Sequence, residues 1–297
     1  MFLEDPCAGS EFQAFGLTTE LGARPGPASG RKPRPLKPEA FEVGRLSMNR
    51  QDAKWMLLAR AIAAIVMLLG APLRAEVLEH TTKVSGTTVH YKTVLPDGYD
   101  PKKAYPAILA FGGGPQDMIT VDNILNRNFR GEAEKRGYIV VAPAAPDGEL
   151  FFKEGARIFP EFLKMIMADH KIQDDKFHVA GPSNGGIAAL HIAASNPQYF
   201  LSVTSFPGFM WQPGATKLRA LAKMCVFMYV GEFDPYRWHG EMQWEVEYLR
   251  SQGTLARYTV EKDQPHRLDT LAGADARRLF DGFEETKKGC QLQSRRD

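Results

Sequence analysis

One short stretch of the chain carries the residue types and spacing of an activated nucleophile. Residues 181–186 read Gly-Pro-Ser-Asn-Gly-Gly, after an apolar run at 177–180 and before a helical run that starts at Ile187. A serine with glycine two positions before and two after it, between a strand and a helix, is the nucleophile elbow pattern. Glycine is wanted there because side chains would collide across so tight a turn. The pattern predicts that Ser183 is a nucleophile at a sheet edge, facing the positive end of a helix.

A serine hydroxyl is a weak nucleophile, so it needs a base that an acid orients. After an elbow, the acid and then the base follow in chain order, each beyond a later strand. Asp234 lies in the loop 231–235, Gly-Glu-Phe-Asp-Pro, directly after the apolar strand 225–230. We predict that Asp234 is the acid. Glu232 in the same loop is the alternative, and an ordinary Asp-Pro turn would explain Asp234 without any chemistry.

Two histidines follow the predicted acid. His266 lies in Asp-Gln-Pro-His-Arg at 263–267, directly after the predicted strand 256–261, which is where a base is expected. His239 stands at the start of a predicted helix, too close in sequence to Asp234 to come from the next strand. We therefore predict that His266 is the base. His178 and His191, in the strand before the elbow and on the helix after it, are interpreted as packing or surface residues.

The third requirement is a set of N–H donors for the charge that develops on a tetrahedral intermediate. Asn184, directly after the serine, can supply one from its backbone. The glycines at 112–114, after the predicted strand 106–111, can supply another, because consecutive glycines let the backbone turn its N–H groups inward. We predict an oxyanion hole formed by Asn184 with Gly113 or Gly114, although a glycine run by itself is also typical of a flexible turn.

Alternating strand and helix signals predict how these residues are positioned. The predicted strands are 87–95, 106–111, 138–142, 177–180, 202–206, 225–230 and 256–261, and the predicted helices are 122–135, 158–168, 186–195, 216–223, 240–251 and 273–287. This alternation indicates an α/β fold with a mainly parallel sheet and helices on both faces. The elements follow one another closely, so no large cap domain is expected. Ligands of such sheets bind beyond the carboxyl ends of the strands.

The composition limits the classes of function. The 297 residues include 37 Lys and Arg against 35 Asp and Glu, and 44% are hydrophobic. A nearly neutral globular chain has no basic surface for nucleic acid, so no nucleic-acid partner is expected. Cys7, Cys225 and Cys290 do not suggest a disulfide framework, and their spacing suggests no metal site. We predict no cofactor and no metal, with Cys225 in the core; the oligomeric state is not readable.

The first 75 residues resemble a targeting region. Residues 1–47 are rich in Gly, Pro and scattered charge, which predicts disorder, and they are interpreted as an over-extended start before Met48. Residues 48–75 run from a mildly basic segment through an apolar core to small residues, as in a secretory signal peptide. An uncleaved anchor or a buried helix is the alternative. The interpretation predicts a mature domain at 76–297 that is secreted or periplasmic, with no stable membrane partner after cleavage.

With these parts in order, the chain resembles the α/β-hydrolase superfamily, and more narrowly the secreted esterases related to polyhydroxybutyrate depolymerases and feruloyl esterases. The matching motifs are Leu-Pro-Asp-Gly-Tyr at 95–99, the glycines 112–114, the elbow at 181–186 and Gln-Pro-His at 264–266, within about residues 85–285. Phe111 departs from the pattern, since many relatives have histidine there, and so does Pro182. The resemblance implies cofactor-free hydrolysis of small-molecule or polymeric carboxylic esters through an acyl-enzyme.

Two other functions share these features. A prolyl-oligopeptidase-like peptidase has the same order of serine, acid and histidine, and a hydrolase fold that has lost activity could act as a binding protein. Phe209, Trp211 and Tyr236 are candidates for the substrate pocket because they follow a strand or lie near the acid. Apolar residues that cover the edge of the core would give the same pattern. The sequence does not specify the acyl group.

Overall fold

The sheet is the frame that positions the predicted site. In a computed structural model of the chain, which describes residues 76–291, eight strands form one sheet. The strands are β1 Val77–Val84, β2 Thr87–Val94, β3 Tyr105–Ala110, β4 Ile139–Pro143, β5 Ile172–Gly181, β6 Phe200–Ser205, β7 Cys225–Gly231 and β8 Ala256–Glu261. Their order is β1-β2-β4-β3-β5-β6-β7-β8. The pairs β1–β2 and β2–β4 are antiparallel, and the pairs from β4 to β8 are parallel.

Helices cover both faces of this sheet, as the sequence predicts. They are α1 Met118–Ile124, α2 Arg130–Arg136, α3 Glu161–Asp169, α4 Asn184–Ser195, α5 Ala215–Leu221, α6 His239–Ser251 and α7 Arg277–Glu285. One core layer includes side chains of α3, α4 and α6, and the other includes side chains of α1, α2 and α7. Successive residues of the central strands alternate between the two layers, so β3 sends Leu109 to the first and Ile108 to the second. No connection within residues 76–291 holds a separate cap domain.

The observed helices and strands differ from the predicted ones at a few positions. The predicted helix 122–135 is two short α-helices joined by a π-helical segment, Leu125–Phe129. The sequence does not predict β1, because seven of its eight residues are exposed or only partly buried and polar residues interrupt the apolar pattern. The predicted helix 273–287 is α7 flanked by 3-10 turns. Pro160 precedes α3 rather than lying inside its first turn.

A disulfide corrects the expectation that the three cysteines do not form such a bond. Cys225, the first residue of β7, forms a disulfide with Cys290 across 65 positions of sequence. Cys225 is buried, as predicted, but its pairing with a residue in the polar C-terminal segment was not. No spacing rule reveals such a pair, because the two positions meet only when the segment 290–291 packs beside residues 254–255, just before β8. Residues 1–47 and the signal sequence predicted at 48–75 lie outside the described residues. None of the helices described in 76–291 has the length and apolar character needed to cross a membrane.

Candidate active site

The turn between β5 and α4 has the geometry of a nucleophile elbow. Ser183 has φ 54° and ψ −125°, a strained conformation that non-glycine residues rarely adopt. Its N–H donates to the carbonyl oxygen of Pro207 at 2.7 Å, which ties the turn to the loop after β6. A Cβ atom on Gly185 would lie 2.5 Å from the carbonyl oxygen of Phe111, so only glycine fits beside the neighbouring strand end. The surrounding contacts hold Ser183 in a conformation that its own backbone disfavours.

The structure joins the predicted acid and base. Nδ1 of His266 lies 3.0 Å from Oδ1 of Asp234, whose side chain is completely buried. The same oxygen accepts a hydrogen bond from the backbone N–H of Tyr236 at 3.0 Å. A carboxylate accepts from Nδ1, so the neutral imidazole has its free lone pair on Nε2. Nε2 of His266 is buried and has no hydrogen-bond partner among residues 76–291.

The alternative acid and the alternative base are used elsewhere. Glu232 accepts a hydrogen bond from the backbone N–H of Asp263 through Oε2, at 3.0 Å. Nε2 of His239, at the first position of α6, bonds to the carbonyl oxygen of Gly231 at 2.9 Å. Both side chains therefore brace the loops around the site. The hydrogen bond between the buried Asp234 and His266 distinguishes the predicted pair from these two neighbours.

Gly231, which the sequence analysis did not single out, allows the acid and base loops to approach. A Cβ atom there would lie 2.0 Å from the carbonyl oxygen of Pro265 and 2.4 Å from that of Gln264. Gly231 ends β7, and the loop that carries His266 follows the neighbouring strand β8. Any larger residue at this position would push the base loop away from Asp234. Its place between an apolar strand and the predicted acid is the only signal in the sequence.

The glycine loop after β3 is fastened to the elbow by side chains. Asn184 donates from Nδ2 to the carbonyl oxygen of Gly114 at 2.8 Å. Gln116, which is completely buried, donates from Nε2 to the carbonyl oxygen of Asn184 at 3.4 Å and accepts from the N–H of Phe151 at 2.9 Å. Asn184 is the first residue of α4, so its N–H has no acceptor from a preceding helical turn. The loop and the helix start are thus held beside Ser183 as one unit.

A pocket of about 490 Å³ opens at Ser183, and we call it the serine pocket. Ser183, His266 and Gly113 line it together with polar residues that the sequence analysis did not predict, Asn123, Asn126, Arg127, Asn128 and Arg267. The π-helical segment contributes three of these, and such segments are frequent at functional sites. Arg127 is paired with Asp269, whereas Arg267 has no ion pair among the described residues. Both charged side chains that line the serine pocket are therefore basic.

Of the aromatic residues predicted for substrate binding, Tyr236 contacts His266, whereas Phe209 and Trp211 do not, and none of the three lines the serine pocket. The ring of Tyr236 contacts that of His266 edge to face, with centroids 4.6 Å apart. Trp238 contacts His266 at 5.0 Å, and Phe209 contacts Trp238 at 5.2 Å. Phe209 lines a different pocket, and Trp211 lies 6.2 Å from Phe209 with more than half of its surface exposed.

The strand order, the elbow after β5 and the loops after β7 and β8 define the class of fold: it is the α/β-hydrolase fold. The Esterase family model matches residues 156–267, the region from the turn before α3 to the base loop. Among curated proteins, dipeptidyl-peptidase 5 of Porphyromonas gingivalis is 29% identical over 127 residues. That match covers 39% of this chain and only 18% of the peptidase.

Solved structures confirm the fold. A ferulic acid esterase superimposes with a TM-score of 0.55 at 16% identity, over 72% of this chain and 99% of that one. The feruloyl esterase module of Clostridium thermocellum, solved with sinapinate, superimposes with a TM-score of 0.54 at 15% identity, over 66% of this chain and 83% of that module. An S-formylglutathione hydrolase from Agrobacterium tumefaciens superimposes with a TM-score of 0.54 at 16% identity, over 72% of this chain and 98% of that one. The α/β-hydrolase fold that the resemblance implies is therefore confirmed.

Proposed function

We propose that the chain is a serine hydrolase that cleaves carboxylic esters through Ser183, His266 and Asp234. The observation that carries the proposal is the hydrogen bond from His266 to the completely buried Asp234. It leaves Nε2 of His266 without a partner among residues 76–291, and His266 and Ser183 line the same pocket. A base oriented in this way can take a proton from a serine hydroxyl. The strained elbow and the Esterase family match support the same reaction.

The reaction follows from the positions of these groups. Ser183 Oγ attacks the ester carbonyl while its proton passes to Nε2 of His266, and Asp234 stabilises the imidazolium that forms. The backbone N–H groups of Asn184 and of Gly113 or Gly114 stabilise the oxyanion; Gly113 is favoured because it lines the serine pocket. The carbon–oxygen bond to the alcohol breaks as His266 returns the proton to it. Water then attacks the acyl-enzyme by the reverse proton path, and no cofactor takes part.

The decisive experiment removes the nucleophile. We expect Ser183→Ala to lower hydrolysis of p-nitrophenyl acetate by about 10³-fold or more, and to abolish labelling by a fluorophosphonate probe. Ser251→Ala is the control, because Ser251 is exposed and bonds only to neighbours in sequence: its Oγ donates to the carbonyl oxygen of Tyr248 and accepts from Nε2 of Gln252. Labelling that persists in Ser183→Ala would disprove the assignment of the nucleophile.

A peptidase is the second candidate, and one observation favours it. The curated relative over 127 residues is a dipeptidyl peptidase, although this chain matches less than a fifth of its length. The same residues could cleave an amide, since acyl transfer from serine serves both substrates. A panel of matched p-nitrophenyl esters and dipeptidyl p-nitroanilides decides between them. We expect kcat/KM to favour the esters, and a preference for the anilides would assign the chain to the peptidases.

We also propose that the protein is secreted or periplasmic, with residues 48–75 as its signal peptide. The disulfide between Cys225 and Cys290 supports this location, since such bonds persist in oxidising compartments. Expression of the natural sequence should yield an exported protein that lacks residues 48–75, as measured by mass spectrometry of its N-terminus. Retention of the uncleaved chain in the cytoplasm would contradict the proposal.

A further inference from the structure

A second pocket lies beside the aromatic residues that contact His266, and we call it the glutamate pocket. It has a volume of about 430 Å³ between the segment after β6 and the first turns of α6. The side chains that matter for its chemistry are Phe209, Trp244, Glu241 and Glu245. None of these residues takes part in the proposed ester hydrolysis, so the pocket needs its own explanation.

Glu245 is the unusual member of this pocket. The residue is 1% exposed, and its Oε1 accepts a hydrogen bond from the backbone N–H of Met210 at 2.6 Å. Its Oε2 is buried without a hydrogen-bond partner in the described part of the chain. Burial raises the pKa of Glu245 to about 8; the bond from Met210 opposes this rise and the charge of Glu241 adds to it. A buried carboxyl oxygen without a partner is costly, so a ligand that supplies a donor there would be stabilised.

A second carboxyl group strengthens the negative potential of the pocket. Glu241 lies one helical turn before Glu245 on the same face of α6. Like charges at this spacing destabilise a helix unless a cation lies between them. The lining includes no Lys, Arg or His among the described residues, and Glu241 has no ion pair there. The charge of Glu241, and that of Glu245 once it ionises near pH 8, is therefore uncompensated by the described residues.

The walls of the pocket indicate which kind of cation fits. Trp244 is 51% exposed, and Phe209 forms the other aromatic wall. Aromatic faces attract organic cations and also bury the apolar part of the ligand. Within residues 76–291 no group of three or more His, Cys, Asp or Glu is arranged to hold a metal ion. The combination of carboxyl groups with ring faces suits an ammonium group on an apolar body.

We propose that the glutamate pocket binds an organic ammonium ion, with the ammonium group donating to Oε2 of Glu245. Glu241 adds a second negative charge at the entrance, and Trp244 and Phe209 hold the apolar part of the ligand. The lost hydration of the Glu245 carboxylate is then offset by a charge-assisted hydrogen bond. This inference does not depend on the proposed hydrolysis, because binding can be measured in the absence of any ester.

The test is calorimetric titration of the full-length protein with benzylammonium chloride at pH 8 and constant ionic strength, with benzyl alcohol as the neutral probe of the same shape. We expect benzylammonium to bind and benzyl alcohol to bind at least tenfold more weakly. Glu245→Gln should weaken benzylammonium binding at least tenfold, because the amide keeps an acceptor for Met210 and removes the charge. Glu247→Gln is the matched control, since Glu247 is exposed on the same helix and outside the pocket.

A second variant protects the test against a folding defect. Glu241 is exposed, so Glu241→Gln leaves the core unchanged, and we expect it to weaken benzylammonium binding about threefold. If Glu245→Gln and Glu241→Gln both bind benzylammonium as tightly as the wild-type protein does, the proposal is overturned. Equal affinity for benzyl alcohol, or the absence of any benzylammonium binding to the wild-type protein, would overturn it as well.

Discussion

The serine pocket and the glutamate pocket lie close to one loop and have opposite electrostatic character. The serine pocket is lined by Arg127 and Arg267, whereas the glutamate pocket is lined by Glu241 and Glu245. The segment after β6 contributes to both, since Phe206 lines the first and Phe209 the second. A chain of ring contacts connects the second pocket to His266 through Trp238. Sequence motifs therefore point to the pocket that holds the proposed nucleophile and give no signal for its neighbour.

The largest expected effect is confined to the serine pocket. His266→Ala should lower kcat for p-nitrophenyl acetate by about 10³-fold or more, because the proton of Ser183 then has no acceptor. His239→Ala removes an imidazole that bonds only to the carbonyl oxygen of Gly231, so its activity should stay within a few-fold of wild type. Steady-state rates of the two variants check the prediction, and equal losses would refute the choice of base.

The next effect tests the acid. Asp234→Asn keeps the shape of the side chain but removes the charge that stabilises the imidazolium, so kcat should fall by about 10³-fold. Glu232→Gln is the matched control, because Glu232 accepts a bond from Asp263 and does not touch His266. Rates measured across pH 6–9 separate the two. A large loss in Glu232→Gln with activity retained in Asp234→Asn would exchange their roles.

The third prediction concerns stability and belongs to the glutamate pocket. The pKa of Glu245 is about 8 in the folded chain and 4.5 in the reference state, so the folded state holds its proton more tightly. The resulting stabilisation is complete below about pH 4.5 and is lost as the pH rises to about 8, at roughly 1.4 kcal/mol per unit of pKa difference. In Glu245→Gln the free energy of unfolding should not show this decrease with rising pH.

Urea unfolding at pH 5 and pH 8 measures the difference. The free energy of unfolding should fall more between these pH values in wild type than in Glu245→Gln, by a few kcal/mol at most. Glu247→Gln should retain the wild-type pH dependence, because Glu247 is exposed. The same pH dependence in all three proteins would mean that Glu245 is not a buried neutral carboxyl group.

The smallest effect tests the basic character of the serine pocket. Arg267 lines that pocket without an ion pair in the described residues, so its charge is available to an anionic substrate group. Arg267→Gln should lower kcat/KM for a monosuccinate ester about fivefold relative to the butyrate ester, the size of one solvated charge contact. Arg277→Gln, on an exposed residue of α7 outside that pocket, is the control. An unchanged ratio in Arg267→Gln would show that Arg267 does not contact the substrate.

Local patterns account for the elements that the sequence predicted well. The strand 256–261 has the observed bounds of β8, because a β-branched, partly apolar run is bounded on both sides by turn residues. The helix after the elbow begins at Asn184, two positions before the predicted start, since Gly185 and Gly186 weaken a propensity signal that tertiary contact restores. The helix predicted at 122–135 was wrong in detail, because a π-helical turn changes one hydrogen-bonding step without changing the apolar pattern.

The residues of the candidate site also form two groups: those that a local sequence pattern predicts and those that it does not. Ser183, Asp234 and His266 were each predicted from a glycine or proline turn after an apolar strand, and two of them meet in the structure at 3.0 Å. Arg267, Gln116 and Gly231 carry no comparable signal, because their contacts are with residues distant in sequence. Only packing reveals that Glu245 is buried among the apolar residues of α6, since a glutamate on an amphipathic helix is normally solvated.

Local sequence is enough to predict the alternation of strands and helices, the elbow motif, and the order of the proposed nucleophile, acid and base, since each depends on neighbours within a few positions. The tertiary structure decided which carboxyl and which histidine pair, the disulfide between Cys225 and Cys290, and the opposite charges of the two pockets. These features depend on which loops the sheet order brings together. Burial and pairing are properties of the packed chain, so they arise only when distant segments meet.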